Sequence, residues 1–350
     1  MLHRETEEGS VVARVISFPR GEAFAWLAHR DSGLTRANAS PLLRTSPSEL
    51  RDFPLVGRER EMAELRASLE DACAGHGRLV LLVGDAGIGK TRTAHELATV
   101  ARMRHVQVLL GRCYEGEGAP PFWPWVQIVR AYIAVRTPET LQAKMGADAA
   151  DIAQVIPEVR ERLPDLPTPP ELEPQQTRFR FFDGFTTFLK KAATEQPLVL
   201  ILDDLHWADK PSLLLLQFMA RQLADAHILI VGTYRDAEVG PQHPLAQTLG
   251  EVARERTSRS IALHGLTAQD VAQFIQLTTD QSPSETVVAA VYQKTEGNPF
   301  FMTEVVRSLA ARSQWSVASE GTGDRVQGSE CENPQSTIRN PSVFPCACAR

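Results

Sequence analysis

The residue types best suited to chemistry stand together directly after a short apolar run at residues 79–83. The residues that follow this run are Gly84, Asp85, Ala86, Gly87, Ile88, Gly89, Lys90 and Thr91. They match G-x-x-x-x-G-K-T, the pattern of a phosphate-binding loop (P-loop), in which backbone N–H groups surround a phosphate chain. Glycine lets the main chain approach that closely because it has no Cβ. The spacing predicts that all eight residues line a nucleoside triphosphate site.

Each polar side chain of this loop has an expected role. Lys90 places a positive charge on the β- and γ-phosphates, and the Thr91 hydroxyl is a ligand for Mg²⁺. The helix that begins here directs its positive end at the phosphates, and Arg92 in its first turn is expected to contact the nucleotide. The spacing G-x-G-x-x-G is absent from the loop, which argues against a dinucleotide site. The alternative is a glycine turn with an unrelated lysine.

A second candidate element follows another apolar run. Residues 198–202 have the continuous apolar character of a central parallel strand, and Asp203 and Asp204 come directly after them. Carboxylates at the C-terminal end of such a strand lie beside the P-loop, because ligands bind at that edge of the sheet. We therefore expect Asp203 to hold Mg²⁺, directly or through water. Asp204 is expected to orient or activate the water that attacks the γ-phosphate.

Two other polar residues near predicted strand ends allow more than one interpretation. Arg235 follows the predicted strand at residues 228–232, where its guanidinium either reaches the γ-phosphate or lies on the surface. Spacing alone does not separate these alternatives. His206 has no other ligand at a metal spacing, so packing or hydrogen bonding is its expected role. Asp209 with Pro211 indicates a helix start, with the aspartate as N-cap.

The composition is typical of a soluble globular protein. Of the 350 residues, 43% are hydrophobic and 23% are charged, and the formal net charge is −6. This acidic balance gives no overall attraction to nucleic acid or anionic membranes, so neither is expected as a direct partner. The sequence shows no signal peptide and no apolar run of membrane-spanning length. Its five scattered cysteines do not make a disulfide framework, and we expect a cytoplasmic protein.

The order of the predicted elements, with strand, P-loop, helix and strand in succession, indicates an α/β fold with a parallel sheet. The predicted regions are a poorly defined N-terminal extension or linker (residues 1–52), a nucleotide-binding α/β domain (53–245) with a helical insert at about 111–195, a small helical lid (246–312), and a disordered or aberrant tail (313–350). Within the insert, Trp123 and Trp125 are expected to pack in the local core. Six prolines between residues 157 and 174 predict an extended loop.

The lid region carries clear helix-start signals. Thr267 and Asp270 match a capping box, and Asn298 with Pro299 predicts a further helix with the asparagine as N-cap. The residues after 312 lack periodicity. One hypothesis for this change is that the native frame ends near residues 311–315, by truncation or frameshift.

Taken together, six segments resemble the STAND-type AAA-like P-loop ATPase module of large bacterial signalling proteins. They are LVGRERE (55–61), GDAGIGKT (84–91), GRCYEGEGAPPFWPW (111–125), LVLILDDLHWAD (198–209), GTYRD (232–236) and EGNPFF (296–301). The resemblance covers about residues 53–312. It implies an AAA-like P-loop NTPase fold with flanking helices, ATP or ADP with Mg²⁺ as ligands, sensor-1 duty for Arg235 and an adenine contact for Pro299. Such modules occur in LuxR-like transcriptional regulators, multidomain adenylate cyclases and some kinases.

Three functions are compatible with these features. The first is an ATP-binding, slowly hydrolysing switch of a bacterial regulator, with Lys90, Asp204 and Arg235 as the catalytic residues and self-association through the ATPase module. The second is a scaffold that binds nucleotide without catalysis. The third is a DNA-associated ATPase of the origin-recognition kind, which the acidic charge and the missing winged helix disfavour. Candidates for an arginine finger are Arg254, Arg256 and Arg259.

Overall fold

A computed structural model describes residues 53–116, 118–170 and 172–311. The predicted extension at residues 1–52, the predicted tail at 313–350 and most of the segment proposed for a loss of frame lie outside the described residues. The strands of the described part are β1 (Arg78–Val83), β2 (Gln107–Arg112), β3 (Leu198–Asp203), β4 (Ile228–Tyr234) and β5 (Ser258–Ala262).

These strands form one parallel sheet in the order β2-β3-β4-β1-β5. Every residue of β3 and β4 is buried, which accounts for their continuous apolar sequence. The strands are parallel and β4 lies between β1 and β3. The loops that follow these three strands are therefore neighbours at the C-terminal ends of the strands. The predicted α/β fold with a parallel sheet is confirmed.

Helices cover both faces of the sheet. They are α1 (Glu59–Cys73), α2 (Lys90–Met103), α3 (Trp123–Ile133), α4 (Pro138–Met145), α5 (Ala149–Val155), α6 (Glu158–Arg162), α7 (Pro174–Ala193), α8 (Lys210–Arg221), α9 (Pro244–Val252), α10 (Ala268–Thr279), α11 (Glu285–Thr295) and α12 (Pro299–Ala311). Short 3₁₀ turns lie at Gly146–Asp148, Leu205–Trp207 and Asp236–Glu238.

Each face of the sheet has its own apolar core. Helices α1 and α2 cover one face, and the helices between β2 and β3 pack together with α8 and α9 on the other. In this second core Trp125 is fully buried, lies edge-on to Phe185 with ring centroids 5.7 Å apart, and donates from Nε1 to the Ser212 carbonyl at 3.1 Å. Asp209 accepts from the Ser212 amide as the predicted N-cap of α8.

Two sequence-based boundaries differ from the structure. Strand β5 falls in the region predicted as lid (246–312), yet it pairs with β1 along its whole length, so the sheet domain extends to Ala262. Its sequence, SRSIA, is half polar because β5 lies at the edge of the sheet, and only Ile261 is buried. Helix α6 interrupts the predicted extended loop at residues 157–174, where burial of Val159 supports a helical turn.

The lid consists of α10, α11 and α12 around a third apolar core. Its core residues include Val271, Phe274, Ile275, Val291, Met302 and Val306, and Val56 joins them from the segment before α1. The capping box of Thr267 and Asp270 at the start of α10 is confirmed. In the part of the chain that the structure describes, no helix is both long and apolar enough to cross a membrane.

Candidate nucleotide-binding site

The P-loop joins β1 to α2 and takes a conformation that requires its glycines. Gly87 and Gly89 have φ angles of +77° and +102°, in the left-handed region that side chains with a Cβ rarely adopt. A Cβ on Gly87 would also lie 2.8 Å from the Cβ of Phe300 and 2.9 Å from Oδ1 of Asn298. The glycine spacing therefore has two causes here, backbone conformation and the close approach of α12.

Lys90 is the first residue of α2 and is 94% buried, with 6% of its surface exposed. Its Nζ donates to the carbonyl of Gly84 at 2.7 Å and to that of Asp85 at 2.8 Å. Burial lowers the pKa of the Lys90 ammonium, the nearby charge of Arg235 lowers it further, and acidic neighbours including Asp204 act against both. The Lys90 ammonium is thus hydrogen-bonded to the same loop with which it is predicted to bind the phosphates.

Asp203 is the buried centre of the site. Its Oδ1 accepts from the Thr91 hydroxyl at 3.0 Å and from the Thr233 hydroxyl at 2.7 Å. The Thr233 oxygen in turn accepts from the backbone N–H of Asp204 at 2.9 Å. Burial raises the pKa of the Asp203 carboxyl, and so does the charge of Asp204, while the two hydroxyls and Arg112 oppose the rise. The P-loop helix is therefore linked directly to Asp203 through Thr91, and β4 is linked to both acidic residues through Thr233.

Asp204 has left-handed backbone with φ +60° and ψ +50°. Its Oδ2 lies 3.3 Å from Nη2 of Arg112, and the Arg112 Nε lies 3.9 Å from Oδ2 of Asp203. Arg112 is the last residue of β2 and stands beside Asp203 in the register of β2 and β3. Sequence reasoning assigned no role to Arg112 or to Thr233. A basic residue at the end of a strand next to the acidic pair was the available signal.

Arg235 follows β4, as predicted, but its guanidinium is bound to a carboxylate. Its Nη1 donates to Oε1 of Glu238 at 2.6 Å. The other oxygen of Glu238 lies 3.4 Å from Nε2 of His206, which is itself 4.0 Å from Oδ1 of Asp204. Neither ring nitrogen of His206 has a hydrogen-bond partner among the described residues. Burial lowers the pKa of His206 to about 4, so its imidazole is neutral at physiological pH.

The lid contacts the P-loop through the first residues of α12. The Asn298 Nδ2 donates to the Ala86 carbonyl at 2.9 Å, and the Phe300 N–H donates to the Gly87 carbonyl at 3.3 Å. Pro299 stands between these two contacts. From the other side, the buried Arg58 donates from Nη2 to the Ile88 carbonyl at 3.0 Å.

All of the predicted nucleotide contacts stay predictions, among them those of Pro299 and Arg92. The adenine contact of Pro299 rests on the family resemblance, although the structure places this residue beside the loop. Arg92 donates from Nη2 to the Phe53 carbonyl at 2.9 Å, which ties α2 to the segment before α1.

The donor set suits Mg²⁺. No group of three or more His, Cys, Asp or Glu residues that would hold a metal occurs among residues 53–116, 118–170 and 172–311. Mg²⁺ does not need such a cluster, because it keeps several waters and binds one or two protein oxygens together with substrate phosphates. The Thr91 hydroxyl and the Asp203 carboxylate lie next to each other and would supply those oxygens.

A P-loop after β1, an acidic pair at the end of β3 and a parallel sheet covered by helices define a P-loop nucleoside triphosphatase fold. Residues 54–231 match the family model of the AAA ATPase domain, and the chain belongs to this family. The match confirms the AAA-like ATPase module indicated by the motifs.

Comparisons with individual proteins give distant relatives. A curated protein of Rhizobium meliloti (strain 1021), described as uncharacterized, is 26% identical over 198 residues, which are 52% of this chain and 18% of that protein. Among solved structures, a Signal Transduction ATPase with Numerous Domains (STAND) protein with a tetratricopeptide repeat sensor from Pyrococcus horikoshii has a TM-score of 0.43 and 17% identity, covering 80% of this chain and 33% of that one.

Two further solved structures are similar at the same level. The ORC1 protein of Aeropyrum pernix, solved in complex with DNA, has a TM-score of 0.41 and 17% identity over 78% of this chain and 63% of its own. RuvB of Thermotoga maritima has a TM-score of 0.39 and 15% identity over 78% of this chain and 67% of its own. The chain thus spans only part of the length of its relatives.

Proposed function

We propose that this chain is the ATP-binding module of a bacterial regulatory protein, in which it acts as a slowly hydrolysing signal-transduction switch. The observation that carries the proposal is the hydrogen bond of 3.0 Å between Thr91 and Asp203. It joins the P-loop helix to the acidic strand end, so two oxygens of the kind that bind Mg²⁺ lie next to each other beside the predicted phosphate cradle. Membership of the AAA ATPase family supports nucleotide as the ligand.

In this proposal the loop N–H groups and Lys90 bind the phosphates. Thr91 and Asp203 would hold Mg²⁺, which neutralises phosphate charge when bound. The buried Lys90 ammonium has acidic neighbours, but its hydrogen-bond acceptors are two neutral carbonyls, and ATP or ADP phosphates would give it a charged acceptor.

Slow hydrolysis is inferred because two of the predicted catalytic groups form ion pairs with other side chains. Asp204, which is to orient the attacking water, is paired with Arg112, and Arg235, which is to stabilise the γ-phosphate, is paired with Glu238. Both ion pairs must open or rearrange before water is activated on the γ-phosphate. That requirement favours a state that holds ATP over one that turns it over rapidly.

The same ion pairs favour a second candidate function, a nucleotide-binding scaffold without catalysis. The two candidates differ in turnover. A switch shows slow ATP hydrolysis that falls when Asp204 is replaced by Asn, whereas a scaffold retains ADP binding with no turnover even in the presence of its partners.

The output of the switch is proposed from the resemblance to STAND modules. It suggests signal transduction, transcription regulation in the cytoplasm as one output, and self-association through the ATPase module. An origin-recognition-like role remains the less favoured alternative. It predicts that DNA stimulates hydrolysis, so a DNA-independent rate would remove it.

Calorimetric titration with ATP and Mg²⁺ tests the site. Lys90→Ala should weaken ATP binding about 10- to 100-fold, because one charged hydrogen-bonding group is worth about 1.5–3 kcal/mol. Lys294→Ala, which removes an exposed lysine near the end of α11, is the matched control and should bind like wild type. Equal heats in all three proteins would refute the site.

A further inference from the structure

Five successive carbonyl groups of the P-loop, from Gly84 to Ile88, each accept a hydrogen bond. Those of Gly84 and Asp85 accept from Lys90. Each of the next three accepts from a residue outside the loop: Ala86 from Asn298, Gly87 from the Phe300 amide and Ile88 from Arg58. This matters because the N–H groups of a phosphate loop must converge on the anion, so its carbonyls must turn away and find other partners.

Asn298 supplies the single side-chain contact from the lid among these donors. Its Oδ1 accepts from the Phe300 N–H at 3.1 Å, which caps the start of α12, and its Nδ2 donates to the Ala86 carbonyl at 2.9 Å. A primary amide carries both a donor and an acceptor, so one side chain performs both tasks. The contact is close, because the Asn298 Oδ1 lies within 2.9 Å of the place where a Gly87 Cβ would stand.

The backbone around Asn298 is fixed to the rest of the lid. Its own N–H donates to the Thr295 carbonyl at 2.8 Å, at the end of α11. The preceding Gly297 accepts from the Leu266 N–H at 2.8 Å, and a Cβ on Gly297 would lie 2.1 Å from the Leu266 carbonyl oxygen. A movement of the lid as one body would therefore carry Asn298 away from the P-loop.

We propose that Asn298 is a positioning residue for the phosphates, because its amide holds the Ala86 carbonyl outside the cradle while the lid is docked. The lid then acts on the phosphate loop directly, in addition to the adenine contact expected of Pro299. This inference rests on the proposed nucleotide site. Because coupling between two equilibria is reciprocal, bound nucleotide must strengthen lid docking by the factor that docking adds to nucleotide affinity.

Two variants separate the P-loop contact from the helix cap. Asn298→Ser and Asn298→Asp both keep an acceptor that caps α12, but serine is too short to reach Ala86 in the same way and aspartate has no donor. Each should weaken ADP·Mg binding about 3- to 10-fold, the effect of losing one neutral hydrogen bond. The uncharged serine variant guards against a purely electrostatic effect of aspartate on the phosphates.

The matched control is Ser284→Ala, which removes the N-cap of α11 and loosens the lid without touching the P-loop. It should leave ADP affinity unchanged. Amide hydrogen exchange of the P-loop is a second measurement, and loss of a helix N-cap alone should not change it. Without nucleotide, the loop amides should exchange faster in Asn298→Ser than in wild type or Ser284→Ala. With ADP, added protection of α12 should be smaller in Asn298→Ser than in wild type.

Wild-type affinity and wild-type loop exchange in both Asn298 variants would overturn the inference. So would an equal loss of affinity in Ser284→Ala, which would assign the effect to lid stability in general. If the proposed nucleotide site itself is wrong, the experiments give a different result. Wild type and Lys90→Ala would then give equal heats, while the nucleotide-free exchange experiment would still report on the Asn298 contact.

Discussion

Replacement of Thr233 by valine should destabilise the nucleotide-free protein more than its small change in shape suggests. The Thr233 side chain is fully buried, donates to Asp203 at 2.7 Å and accepts from the Asp204 N–H at 2.9 Å. Valine keeps the volume and removes both hydrogen bonds. The Asp203 carboxylate then retains the Thr91 hydroxyl as a donor, and the Asp204 N–H loses its acceptor.

The expected loss follows from these two contacts. A hydrogen bond to a charged group contributes about 1.5–3 kcal/mol, and a buried N–H without a partner costs about 1–3 kcal/mol. The two effects overlap because one hydroxyl makes both contacts, so we expect Thr233→Val to lower the free energy of unfolding by about 2–4 kcal/mol.

Urea denaturation followed by circular dichroism measures this quantity. The control is Thr186→Val, since Thr186 is equally buried but its hydroxyl donates only to the Phe182 carbonyl one helical turn back, at 2.7 Å. That variant should lose about 1 kcal/mol or less. If Thr233→Val and Thr186→Val lose the same free energy, the argument that Thr233 holds the acidic pair is wrong.

Two further predictions concern the charged groups around Asp204. Arg112→Gln should raise the rate of ATP hydrolysis several-fold with little change in ADP affinity, because it frees Asp204 from its ion pair; an unchanged or lower rate in a steady-state phosphate-release assay would contradict this. His206→Leu should make the free energy of unfolding fall less as the pH is lowered from 6.5 to 4. The wild-type imidazole has its pKa lowered from 6.5 to about 4 in the folded protein, so stability is fully present above pH 6.5 and is lost as the pH falls toward 4. The loss amounts to about 3 kcal/mol, since a tenfold change in a proton equilibrium is worth about 1.4 kcal/mol; equal slopes in the two proteins, from urea titrations at several pH values, would refute the assignment.

The P-loop and the acidic pair were predictable because local sequence determines them. A glycine-rich turn between a strand and a helix has few other uses, and Asp203 with Asp204 ends a wholly apolar strand. The same is true of the capping box of Thr267 and Asp270, whose two partners are three residues apart. In each case the side chains that act together are neighbours in the chain.

The contacts that complete the site arise from strand register and lid docking. Arg112 meets the acidic pair because β2 and β3 align it with Asp203, and Thr233 meets it because β4 lies beside β3. Thr233 lies within a wholly buried strand, where a threonine is expected to pack in the core, so the sequence alone does not indicate its contacts with the acidic pair. Asn298 likewise meets Ala86, and Glu238 meets His206, through tertiary contacts. Strand β5 carries too little apolar sequence to be predicted as a strand.

The central claim is that Thr91 and Asp203 form the metal side of an ATP site, and a titration of ATP with and without Mg²⁺ tests it most directly. In wild type, Mg²⁺ should tighten ATP binding about 10-fold or more, the effect of one charged contact. In Asp203→Asn that gain should largely disappear, while metal-free binding through Lys90 persists. The claim would be contradicted if wild type did not bind ATP, or if the two proteins gained equally from Mg²⁺.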